Sequence, residues 1–103
     1  MVDSLNVRVT AAIRRAEQLD EHLANSALLA WAEVSLIEEE LARALPVSQP
    51  EGRIARRGAV RAALKAQDHA RAQALAQRYL ADKDAPDSLR AAFREMLEDS
   101  DAG

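Results

Sequence analysis

The sequence predicts an all-α protein, a small helical bundle of four to five helices with a helical hairpin at its C-terminal end. Glycine and proline are scarce, three of each in 103 residues, so long segments contain no helix breaker. Apolar residues recur at steps of three and four, whereas no alternating β-branched run is long enough for a sheet strand. Only 3% of residues are aromatic and alanine is abundant. We therefore expect close helix contacts in a single domain, residues 1–103.

The first two predicted helices form an acidic helical hairpin over residues 4–45. One face of the first helix carries the apolar residues Leu5, Val9, Ala12, Ala16, Leu19 and Leu23. Asp3 or Ser4 is the predicted N-cap. Asn25 and Ser26 then interrupt the pattern and predict a turn, although one long bent helix fits the same residues.

The second predicted helix, residues 27–45, is apolar on two sides and is therefore expected to lie between two neighbours. One stripe contains Leu29, Ala32 and Leu36, and the other contains Trp31, Val34, Leu41 and Leu45, with Ile37 between them. Trp31 is expected to be buried between at least two helices, and Pro46 ends the helix. The consecutive Glu38, Glu39 and Glu40 fan around the helix axis, so we interpret them as solvating side chains.

A basic third helix is predicted to begin near Gln49. Ser48 and Glu51 match a capping box, with Ser48 as the cap and a proline tolerated in the first turn. Its large apolar residues are Ile54, Val60 and Leu64, and its Gly58 permits a close approach of two backbones. Periodicity leaves open whether residues 49–81 form one helix or two separated by a turn near Gln67, with Asp68 as the second cap.

An acidic C-terminal helix is predicted over residues 85–98. Asp84 resembles its cap, with Pro86 and Asp87 in the first turn. The residues expected to be buried are Leu89, Ala92, Phe93, Met96 and Leu97. We expect residues 99–103 to fray.

Residues 53–98 resemble a single tetratricopeptide-like helical hairpin. The resemblance depends on Ala63-Leu64-Lys65-Ala66-Gln67-Asp68, then Ala72, Leu75-Ala76 and Tyr79-Leu80, followed by Pro86. Members of this family stack antiparallel helix pairs into scaffolds whose concave face holds peptide segments. The resemblance therefore implies a binding module rather than a catalyst. Gln67 stands where the family usually has glycine, the large aromatic residue of the first helix is absent, and no second copy is visible.

Charge follows an acidic, basic, acidic order along the chain. Residues 1–52 have a net charge of −5, residues 53–78 of +6 and residues 79–103 of −4. The basic block contains a ridge of cations at steps of four, with two more nearby, and we name these six residues the basic ridge: Arg53, Arg56, Arg57, Arg61, Lys65 and Arg71. A basic ridge can bind phosphates or acidic protein surface. The acidic flanks and the lack of interleaved aromatic residues favour a protein surface, within the bundle or on another chain.

The sequence predicts no enzyme, metal site or cofactor. It has no cysteine. No second ligand-type residue stands at metal-binding spacing from His22 or His69, and neither a nucleophile motif nor a phosphate loop is present. The N-terminal residues lack signal-peptide character, and no segment approaches the ~20 apolar residues of a membrane span. We expect a cytoplasmic, non-catalytic protein-interaction or regulatory module that is a subunit of a homo-oligomer or of a larger assembly. The alternative is a nucleic-acid-associated protein that uses the basic ridge.

Overall fold

Five α-helices make up the fold in the computed structural model, which describes residues 2–20 and 24–102. They are α1 Val2–Asp20, α2 Ala24–Ala44, α3 Pro50–Lys65, α4 His69–Leu80 and α5 Asp87–Ala102. Helix α2 lies between α1 and α3, and α3 also contacts α4 and α5. The principal extents are 40 × 37 × 17 Å, so the bundle is a slab rather than a sphere. The predicted all-α bundle is confirmed.

Helices α1 and α2 pack against each other. The predicted α1 face is buried at Leu5, Val9, Ala12 and Ala16, and Leu19 packs against the core; Leu23 lies outside the described residues. Asn25 and Ser26 lie inside α2, at its start, so the turn predicted at these two residues is wrong. Asparagine and serine are favoured near helix N-termini, so their presence alone does not show where one helix ends and the next begins. Residues 21–23 lie outside the described ones.

Helix α2 contacts two neighbours as predicted, but one of its predicted stripes was wrong. Leu29 and Leu36 are 75% and 53% exposed. The buried residues of α2 are Ala27, Ala30, Trp31, Val34, Ser35, Ile37, Glu38, Glu39, Leu41 and Ala42. Small residues determine which face of α2 is buried, because they let the helices approach closely. At this close approach the Ser35 hydroxyl donates a 2.7 Å hydrogen bond to the Ala59 carbonyl of α3.

Helix α3 begins at Pro50, close to the predicted start, but Ser48 is not its cap. Gln49 is the N-cap residue and makes no side-chain capping hydrogen bond. The Arg53 guanidinium instead reaches back and donates to the carbonyls of Val47 and Ser48, at 3.0 Å each. The connection from α2 is thus held from within α3.

The buried side of α3 is made of small residues. Gly52, Ala55, Ala59, Ala62 and Ala63 are buried together with Val60. Ile54, one of the three large apolar residues of this helix, is 56% exposed. In α3, as in α2, the buried face is the one whose small residues let a neighbouring helix pack closely, not the one with the largest apolar side chains.

Residues 49–81 form two helices, which settles the alternative left open by the sequence. After α3 the Gln67 and Asp68 amides donate back to α3 carbonyls, each at 2.9 Å, as in a Schellman turn. Gln67 has a φ of 60°, the left-handed conformation usually taken by glycine. The Asp68 carboxylate accepts a 3.1 Å hydrogen bond from the Arg71 amide and caps α4, as predicted.

Helix α5 completes the C-terminal half. It begins at Asp87, so Pro86 occupies the preceding position and Asp84 lies too far back to cap it. Leu89 and Phe93 are buried, and the Phe93 ring stacks on Tyr79 of α4 with centroids 5.8 Å apart. Ala92, Met96 and Leu97 are partly buried. The helix continues to Ala102, and Gly103 lies outside the described residues.

Candidate functional site

A groove lies on one side of α2 where α1 and α3 flank it. Within the described ranges the backbones of α1 and α3 do not come close to each other, so a gap remains between them above α2. The groove has a volume of about 410 Å³. We name it the α1–α3 groove; it is lined by Ile13 and Glu17 of α1, by Trp31, Val34 and Glu38 of α2, and by Gly58, Arg61, Ala62 and Lys65 of α3.

Trp31 forms part of the floor of this groove. It is 6% exposed and lies among residues of both α1 and α3, which confirms the predicted burial between two helices. The Lys65 ammonium lies over the indole, 4.7 Å from the ring centroid. This cation–π contact places the Lys65 side chain across the aromatic surface that faces the groove.

Glu38 also lies on the groove floor and is 7% exposed, so interpreting it as a solvating side chain was wrong. A Cβ atom at position 58 would collide with the Glu38 carboxyl, so Gly58 admits a side chain rather than a second backbone. In the described part of the chain, Glu38 has no hydrogen bond or ion pair. Burial raises the pKa of Glu38 from its usual 4.5 to about 7, although the positive charge of Arg61 acts in the opposite direction.

Glu39 is buried on a different side of α2 and is fully paired, which also corrects its interpretation as a solvating residue. Its carboxylate accepts hydrogen bonds from Arg43 at 2.9 Å, Arg71 at 2.8 Å and Arg78 at 2.9 Å. Burial raises the pKa of Glu39, but hydrogen bonds from Arg71 and Arg78 outweigh it, so the pKa lies below the usual value. Glu39 thus connects α2 to α4.

The basic ridge divides into two sets of three residues. Those that donate hydrogen bonds within the chain are Arg53, Arg56 and Arg71. Arg56 donates to the Leu45 carbonyl at 3.1 Å and lies over the Tyr79 ring, and Arg71 joins Ser35 to Glu39. We name the other three the outer cations: Arg57, Arg61 and Lys65. Two of them line the α1–α3 groove.

Sequence reasoning missed Glu38 as a groove residue. Glu38 follows Trp31 by seven residues, and residues seven apart share one face of a helix. Its position in the helical repeat therefore predicted that it is buried. We nevertheless interpreted it as a solvating side chain because it is charged. No comparable signal identified Glu17 or Ile13, whose place in the groove depends on how α1 packs on α2.

Comparison of the chain with protein-family models, curated proteins and solved structures finds no match. Among the described residues, no group of three histidine or acidic side chains is arranged to hold a metal ion. His69 is exposed, and His22 lies outside the described ranges. None of the helices described above combines the length and apolar character needed to cross a bilayer.

Proposed function

We propose that this protein is a non-catalytic interaction module whose outer cations bind an acidic segment of a partner protein. The observation that carries the proposal is that Arg61 and Lys65 stand at the wall of a groove whose floor is mainly apolar. Protein segments combine apolar and charged side chains, and binding sites for them combine an apolar centre with a polar rim. A site for phosphates alone needs no apolar floor.

The aromatic residues favour protein over nucleic acid. The chain has one tryptophan, one tyrosine and one phenylalanine. All three are buried, at 6%, 7% and 0% exposure for Trp31, Tyr79 and Phe93. Binding to single-stranded nucleic acid draws much of its strength from bases stacking on exposed aromatic rings, so this contribution is missing.

The internal use of half the basic ridge points the same way. Arg71 is paired with a buried carboxylate and Arg53 holds the α2–α3 connection, so moving either to a phosphate would break contacts within the fold. The outer cations alone give few phosphate contacts, and nucleic-acid affinity depends steeply on their number.

The resemblance of residues 53–98 to a tetratricopeptide-like hairpin supports the same function, because that family holds peptide segments. The partner can be a second copy of this chain, since residues 1–52 and 79–103 are both acidic. We place the protein in the cytoplasm, with which the lack of cysteine is compatible.

Charge reversal tests this proposal. The double variant Arg57→Glu/Arg61→Glu should lose self-association in sedimentation velocity or lose its co-purifying acidic partner. The matched control is Arg14→Glu/Arg94→Glu, which makes the same charge change at exposed residues of α1 and α5. Equal loss in both variants would mean that net charge, not the outer cations, governs association.

Oligonucleotide binding tests the competing function. We expect negligible fluorescence anisotropy change with labelled single- and double-stranded oligonucleotides at physiological salt. Micromolar binding that weakens steeply with salt would overturn the proposal, especially if the Arg57→Glu/Arg61→Glu variant abolished it. Each lost phosphate contact would then flatten the log–log salt slope by roughly 0.7–0.9.

A further inference from the structure

We infer that the α1–α3 groove binds a partner segment that seats an apolar side chain beside Trp31 and sets an adjacent carboxylate against Arg61 and Lys65. This inference rests on the proposed function and names the docking site and the chemistry of the occupant. It is carried by the shape of the groove, by the unequal charge of its two walls and by the unpaired carboxyl group on its floor.

The floor of the groove fits an apolar side chain. Ile13, Val34 and Ala62 surround Trp31 there. The volume of about 410 Å³ lies within the ~300–1,000 Å³ of pockets that hold ligands, and is ample for one large side chain with its neighbours. Seating such a side chain removes apolar surface from water, which is the main favourable contribution to association.

The two walls of the groove set the orientation of the segment. The α3 wall presents Arg61 and Lys65, both exposed, and Arg57 lies one turn before Arg61. The α1 wall presents Glu17. A carboxylate on the segment is therefore attracted to the α3 side and repelled from the α1 side. The Lys65 ammonium can leave the indole for that carboxylate, because the incoming apolar side chain then covers the ring.

Glu38 gives the docking a proton dependence. Among the described residues, the charged groups that line the groove with Glu38 are Arg61 and Lys65 from α3 and Glu17 from α1. A bound apolar side chain expels water from the floor and a bound carboxylate adds negative charge, and both favour the protonated form of Glu38. Protonated Glu38 can donate a hydrogen bond to the segment, whereas ionised Glu38 can only accept. Binding therefore takes up a proton.

The pH dependence follows from linkage. Burial sets the pKa of Glu38 at about 7 in the free protein, so most molecules are protonated at pH 6 and few at pH 8. If only the protonated form binds, affinity falls about tenfold between these pH values. Peptide glutamates titrate near 4.3 and stay ionised throughout this range.

The test uses synthetic peptides and the full chain. The probe has two central leucines flanked by glutamates, one control replaces the glutamates by lysines, and another replaces the leucines by serines. Trp31 is the chain's single tryptophan, so its emission reports occupation of the groove. We expect only the glutamate–leucine peptide to bind, with a change in Trp31 emission and about tenfold weaker affinity at pH 8 than at pH 6.

Two variants separate Glu38 from other titrating groups. Glu38→Gln keeps a hydrogen-bond donor without a titration, so it should bind equally at both pH values. Glu40→Gln changes an exposed carboxylate of the same helix and should keep the wild-type pH dependence.

The outcomes distinguish this inference from the proposed function. One outcome is that the peptide binds the wild type without changing Trp31 emission and equally well at pH 6 and pH 8, and that Arg57→Glu/Arg61→Glu abolishes this binding. That outcome would overturn the groove as the docking site, while the interaction function would stand. Preference for the lysine peptide would overturn the acidic occupant. No binding of either leucine peptide would overturn the docking site, and the partner and self-association assays would still judge the proposed function separately.

Discussion

Glu38→Gln should stabilise the protein at neutral and alkaline pH. The folded-state pKa of Glu38 is raised by burial to about 7, against a usual value of 4.5. The folded protein therefore binds more protons than the unfolded chain between these two pH values. The stability contributed by protonated Glu38 is complete below pH 4.5 and is lost as the pH rises through 7. Glutamine has the same shape and no titration.

The size of the effect follows from the two pKa values. At 1.36 kcal/mol per pH unit, the interval from 4.5 to about 7 corresponds to about 3 kcal/mol. The carboxyl group faces a groove open to water, which screens its charge, so we expect about 2 kcal/mol. The free energy of unfolding of the variant should thus exceed that of the wild type by about 2 kcal/mol at pH 8 and by almost nothing at pH 4.5.

Urea denaturation followed by far-ultraviolet circular dichroism at pH 5, 6, 7 and 8 measures this difference. The control Glu40→Gln alters a carboxylate that is 48% exposed and lies 3.9 Å from Arg8, so it should differ from wild type by less than about 0.5 kcal/mol. Parallel stability curves for wild type and Glu38→Gln across this pH range would refute the reasoning.

Three further substitutions test the contacts that define the fold. Glu39→Ala removes the acceptor shared by three arginines and should cost about 3 kcal/mol in urea denaturation, whereas a loss below about 0.5 kcal/mol would contradict its role in joining α2 to α4. Gln67→Gly relieves a left-handed backbone and should raise the unfolding free energy by about 0.5–1 kcal/mol; a lower melting temperature would contradict this. Trp31→Ala should cost about 3–5 kcal/mol, and red-shifted, readily quenched emission from the native protein would argue against burial.

Much of the fold could be predicted because prolines and capping residues close to the helix ends mark several of the helix boundaries. Pro46 ends the α2 pattern, Asp68 caps α4, and Pro86 immediately precedes α5. The apolar phase of α1 was also readable, since one helix face carries nearly all its large apolar residues. Local signals failed at Ser48, where Arg53, five residues later, holds the connection in place of the predicted cap.

The orientation of α2 could not be read from apolar periodicity. Leu29 and Leu36 define a stripe by size, yet the close contact with α3 is made through Ser35 and the small residues on its side of the helix. A helix with apolar residues on several sides has more than one plausible buried face. Which face is chosen depends on the shapes of α1 and α3.

The basic ridge was visible in the sequence, but the partners of its members were not. Arg71 and Glu39 are 32 residues apart, and no periodic pattern relates them. Spacing alone gave Arg53, Arg56 and Arg57 similar roles, whereas the fold directs the first two toward backbone carbonyls. The groove likewise exists only because α1 and α3 both pack on α2, so no single segment encodes it.

Glu38 and Glu39 are neighbours whose pKa values move in opposite directions, because adjacent helical residues point about 100° apart. Glu39 meets three arginines and remains ionised, so it serves the fold. Glu38 packs against Gly58 on the groove floor, where burial raises its pKa more than the charge of Arg61 lowers it. At neutral pH its ionised form costs stability, and an uncharged residue of the same size would be tolerated better. The inferred docking site, in which protonated Glu38 donates a hydrogen bond beside two cations, gives this carboxyl group a role other than stability.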